Sequence, residues 1–105
     1  MFLVACSNAS TVKKDNLDGK YHFISYDDKL TKTTDIKIED NTLIKYNSDS
    51  KHVYSIDMEK HTLSGDGSIY SYTFEDGKLT TDISGNSMEY YQEGSKAYKE
   101  IKSKE

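Results

Sequence analysis

The 105-residue sequence has no proline and no arginine, holds one cysteine, and contains no long apolar run. Each absence excludes something. A transmembrane helix needs about 18 or more predominantly apolar residues, so no such helix can be drawn. A single cysteine cannot close an intrachain disulfide. All fourteen basic residues are lysine. Without the planar guanidinium fork that grips phosphates and guanine edges, a nucleic-acid partner is not expected. Without proline-rich or low-complexity stretches there is no inner linker, and a chain of this length reads as one domain.

What is present is polar but patterned. Apolar residues make up 34%, nine tyrosines among them, and charged residues 30%. The core must therefore be thin. From Asn16 onward, however, apolar and aromatic residues alternate with polar ones at a period of two, which argues for sheet over disorder. The ends are basic. Lys13 to Lys20 holds three lysines against two aspartates, and Ser95 to Glu105 four lysines against two glutamates. Between them, Tyr21 to Gly94 holds seven lysines against fourteen acids. Such an acidic body serves solubility or suits a cationic partner such as a bacteriocin peptide.

The alternation predicts strands at Lys20 to Tyr26, Asp35 to Glu39, Thr42 to Tyr46, His52 to Met58, His61 to Ser64, Ser68 to Glu75, Lys78 to Ser84 and Ser87 to Gln92. A short repeat joins them: Ile38-Glu39-Asp40-Asn41-Thr42-Leu43, Met58-Glu59-Lys60-His61-Thr62-Leu63 and Phe74-Glu75-Asp76-Gly77-Lys78-Leu79. Each reads as a hairpin corner, and in the first and third Asp-Asn and Asp-Gly supply the positive φ of the turn. Ile36, Ile38, Tyr54, Ile56, Met58, Tyr70, Tyr72, Phe74, Leu79 and Ile83 fall on one face and are assigned inward. Strand one is ambiguous, since Tyr21 and Phe23 face one way and Ile24 and Tyr26 the other. In the tail, Ala97, Tyr98 and Ile101 share a helical side behind Ser95, a candidate N-cap, after the strand-breaking Gly94. That segment is a short helix packed across an opening or an extension of the last strand. The fold class is therefore all-β: a small antiparallel up-and-down meander forming a partly closed barrel of about eight short strands.

At the front, Leu3-Val4-Ala5-Cys6 sets an aliphatic residue three before a cysteine, with small residues next to it. The match resembles the bacterial lipoprotein processing signal. It implies cleavage after Ala5 and diacylglycerol on the Cys6 sulfur, the two acyl chains that stable anchoring requires. Only Met1 and Phe2 precede the box, where a signal needs a basic region and about 7–15 apolar residues, so the expectation is a leader cut short here. Ser7 to Asn16 has the polarity of a tether. Further on, Gly19-Lys20-Tyr21, the repeated Glu-Asp corners and Tyr72-Thr73-Phe74-Glu75-Asp76-Gly77-Lys78-Leu79 resemble the small lipocalin-like lipoproteins of Gram-positive bacteria, over about Asp18 to Tyr91. Small lantibiotic-immunity lipoproteins are similar in size and anchoring. The division implied is a signal remnant at 1–5, a lipidated tether at 6–17, a barrel at 18–94 and a tail at 95–105.

No catalytic constellation stands out. His22, His52 and His61 form no H-x-H or H-x-x-x-H pair, and the aspartates lack the spacing of a calcium loop, so neither a metal nor another cofactor is expected. There is no G-x-S-x-G elbow. His61 and Asp57 are a local pair near a hairpin, and an enzyme is not expected. The tyrosines remain. Tyr54, Tyr70, Tyr72 and Tyr90 on an inner face could line a cavity mouth that stacks a ligand, or could simply cover a thin core with amphipathic rings. The expectation is a noncatalytic, monomeric lipoprotein on the extracellular face of the cell membrane, binding a small ligand or peptide. The alternative is an accessory protein that contacts another envelope protein.

Overall fold

A computed structural model describes residues 16–105. Eight antiparallel strands pair in sequence order and the last returns to the first, closing a barrel. They are β1 (Gly19–Phe23), β2 (Ile36–Glu39), β3 (Thr42–Tyr46), β4 (Lys51–Asp57), β5 (Thr62–Gly65), β6 (Ser68–Glu75), β7 (Lys78–Thr81) and β8 (Met88–Gln92), followed by helix α1 (Lys96–Ser103). The up-and-down order expected from the alternation is observed, and closure is complete. At the seam Tyr21 pairs with Gln92 and Phe23 with Tyr90.

The corners follow from local chemistry. Asp40-Asn41, Asp66-Gly67 and Asp76-Gly77 each carry two consecutive positive φ values, the two-residue turn whose twist matches the flanking strands. Because consecutive strands run in opposite directions, the corners β2–β3, β4–β5 and β6–β7 all fall at one end of the barrel. The chain also arrives at β1 there. That end is here termed the corner end. The 24–35 connection between β1 and β2 leaves from the opposite end.

Side chains fill the interior. Tyr21, Ile36, Ile38, Leu43, Leu63, Leu79 and Tyr90 are fully buried, with Leu17, Tyr54, Ile56, Tyr72 and Ile83 packed around them. Burying one Leu or Ile contributes roughly 1.5–3 kcal/mol, so a dozen such residues suffice to organise a small barrel. Met58 departs from the inward assignment. β4 ends at Asp57, leaving Met58 to open the corner, 39% exposed. β1 also stops short of Tyr26. After Ile24, which bridges Leu30, the Ser25 amide bonds to the Lys29 carbonyl and the chain turns away, leaving Tyr26 in solvent.

The tail forms the helix, which lies along the outer wall rather than across an opening. Its N-cap Ser95 accepts a hydrogen bond from the Tyr98 amide, and the Ala97 amide donates to the Asp76 carbonyl at the corner end. Beyond its far end, the Glu105 carboxylate accepts the Leu30 amide at 3.0 Å, in the β1–β2 connection. His22, outward on β1, is buried in this assembly. Its Nδ1 donates to the Thr33 carbonyl, its Nε2 lies 2.8 Å from the Glu93 carboxylate, and its ring tilts against Tyr98.

Candidate functional site

The four tyrosines singled out from the sequence divide between the two ends of the barrel. Tyr54, Tyr70 and Tyr90 belong to the end opposite the corner end, where the Asp66-Gly67 turn lies. Tyr54 and Tyr70 meet edge to face, with ring centres 5.9 Å apart. The Tyr54 hydroxyl donates to Asp66 Oδ2 at 3.2 Å, and His52 Nδ1 lies 3.1 Å from the same oxygen. Burial and the Asp66 carboxylate push the Tyr54 phenol up to about 12. Tyr90 donates to Ser84 Oγ and packs edge-on against Phe23, and its burial likewise raises its phenol. Tyr54 and Tyr90 are thus core rings with a polar tip, the structural use of tyrosine in a thin interior. Tyr70 is half-buried, packed against the core.

Tyr72 turns toward the corner end, where the rim of the barrel opens into a cavity of ≈320 Å³. Its walls are Leu17, Met58, His61, Tyr72, Thr73 and Phe74. The His61 and Tyr72 rings meet edge to face at 5.5 Å. Met58 and His61 come from the β4–β5 corner, and Tyr72 and Phe74 from β6. His61 holds a positive φ of 57°, which turns the chain back into β5. Leu17 comes from the segment that precedes β1. An apolar wall with a few polar groups at its edge, near the low end of ligand-pocket volumes (about 300–1,000 Å³), is the form of a small binding site.

Sequence reasoning singled out Tyr72 but missed Leu17, which falls in the stretch assigned to the tether. Leu17 is only 5% exposed. Its carbonyl accepts the hydroxyl of the fully buried Tyr21 at 2.5 Å, and burial is the main cause of the strong upward shift of that phenol. The Gln92 amide donates to the Asn16 and Asp18 carbonyls on either side, at 3.1 and 2.8 Å. The available signal was a single apolar residue two positions before Gly19. Cys6, the lipidation residue of the sequence reading, lies outside the described residues.

Among the described residues no group of three or more His, Cys, Asp or Glu side chains is placed to hold a metal ion. No described helix is long and apolar enough to cross a membrane. The architecture defines a class, the small closed antiparallel barrel with a pocket at its rim. No protein-family model, curated protein or solved structure matches this chain.

Proposed function

We propose that this chain is a noncatalytic binding module, anchored through diacylglycerol on Cys6 to the outer face of a Gram-positive cell membrane, whose barrel holds a small ligand or peptide near the bilayer. The observation that carries the reading is the rim pocket at the end where the chain reaches the barrel, with Leu17 as one of its walls. A lipid tether raises the effective concentration of such a pocket for anything at the membrane surface. The test is fractionation of cells that express the full-length gene. Cys6→Ala should move the protein from the membrane fraction to the soluble fraction, and a variant that stays membrane-bound overturns the reading.

A second reading, an accessory protein that docks on another envelope protein, has its own support in apolar side chains on the outer wall. Ile69 is 72% and Val53 52% exposed. Closure of the barrel leaves no unpaired strand edge among β1 to β8, so docking would use side chains rather than strand addition. Charged substitutions at Val53 and Ile69 should then abolish co-purification with the partner and leave pocket binding unchanged.

A further inference from the structure

We propose that the corner-end pocket takes one bulky apolar side chain of a cationic amphipathic peptide arriving at the membrane surface, while carboxylates of the surrounding corners hold its basic neighbours. This rests on the binding-module reading and names the partner of that pocket.

Three observations converge on it. First, the pocket walls are apolar and aromatic apart from Thr73, and ≈320 Å³ suits one large side chain better than a whole drug-sized ligand. Second, the repeat and the topology act together on charge. Corners two strands apart share an end, so Glu39, Asp40, Asp57, Glu59, Glu75 and Asp76 all gather around this rim against two lysines of the same corners, Lys60 and Lys78, of which Lys78 lies 3.4 Å from Glu89. Glu39 is 3.9 Å from Lys37, whereas Glu59 and Glu75 have no ion-pair partner among the described residues. Carboxylates beside an apolar pocket favour a ligand that carries cations next to an apolar group, and repel an anionic amphiphile.

Third, the pocket and the chain's approach share one end, and that approach is fixed. Tyr21 and Gln92 grip the carbonyls of Leu17, Asn16 and Asp18. An anchor upstream of this grip turns the corner end toward the bilayer, where amphipathic cationic peptides collect on anionic lipid. The pocket thus meets such a peptide as it arrives at the surface, before its apolar face is buried in lipid.

The probes are three peptide amides of equal length, lysine–leucine, lysine–serine and glutamate–leucine, titrated calorimetrically into the full chain. The lysine–leucine peptide should bind, with affinity falling as salt is raised. Its Kd should weaken about tenfold in the double variant Glu59→Lys/Glu75→Lys and about fivefold in Met58→Ser, but less than about twofold in Asp49→Lys at the opposite end. All four positions are exposed, so the variants retain the fold. Equal binding of the lysine–serine peptide, insensitivity to salt, or an equal loss in Asp49→Lys overturns the proposal. Tight, Met58-dependent binding of the glutamate–leucine peptide overturns the assignment of a cationic partner while leaving the binding-module reading standing. The membrane-release test of that reading is independent of these titrations.

Discussion

Gly65 shows how tightly single residues are specified. The Tyr54 ring lies over it, so a Cβ at this position would meet Tyr54 Cδ2 and the Val53 carbonyl oxygen at 2.6 Å. The backbone there is ordinary strand, and the demand for glycine comes from the aromatic ring and the neighbouring strand's carbonyl. Gly65→Ala should therefore destabilise the protein by about 1–3 kcal/mol, read as a lower midpoint in urea with an unchanged m-value. The tyrosines carry a second residue-scale consequence. Burial and the Asp66 and Glu89 carboxylates push Tyr54 and Tyr91 from 10.0 up to about 12, and Tyr21 higher still. A phenol whose folded pKa is raised favours the fold while it is neutral. Its stabilisation is complete below pH about 10 and is lost as pH rises through about 12. Absorbance titration at 295 nm should thus show the Tyr54 and Tyr91 phenols ionising only as pH approaches about 12, together with unfolding. Ionisation of Tyr54 and Tyr91 near 10.0 in the folded protein would contradict this.

Among elements, the corners were the most legible because their signal is local. Asp-Asn and Asp-Gly tolerate the left-handed backbone that a two-residue hairpin demands, and they sit between alternating strands. Strand ends were less legible. Thr81 closes β7, yet Ile83 beyond it is still buried, so apolar alternation outran the ladder. Helix α1 was signalled by Ser95 and its apolar spacing, but its position on the outer wall depends on Gly77, which is distant in sequence. Gly77 has a φ of 94°, and a Cβ on it would overlap the Ser95 side chain, the N-cap of the helix. Gly77→Ala should cost about 2 kcal/mol or more, combining backbone strain with a displaced cap. Hydrogen exchange should then rise in residues 96–103 and, through the lost Glu105 to Leu30 and Glu93 to His22 contacts, in residues 24–35. Protection lost only around residue 77 would argue against the helix as a clamp on that connection.

At the scale of the molecule, closure is the expensive step. The β3–β4 and β5–β6 hairpins are local, whereas the seam joins Tyr21 to Gln92 across nearly the whole barrel sequence. Loop-closure entropy opposes such a contact until the intervening strands are in place. Leu43→Ala in β3 should accordingly slow refolding, with φ about 0.5 or more. Phe23→Leu, at the seam against Tyr90, should mainly accelerate unfolding, with φ near 0. Stopped-flow chevrons of the two variants measure both, and the opposite ordering would mean that β1 and β8 nucleate the barrel.

The order and direction of the strands, their turns and most of their inward faces were written in the sequence, because period-two alternation and turn chemistry act over a few residues. Only the tertiary structure decided what depends on residues far apart. It completed the closure, buried His22 beneath a helix from the other end of the chain, and drew Leu17 from a polar stretch into the core. It also sent Tyr72 to one end of the barrel and Tyr54 and Tyr90 to the other, and gathered three similar corners on one rim. Neighbours in a closed barrel are fixed by register around its whole circumference, and no local window of sequence contains that register.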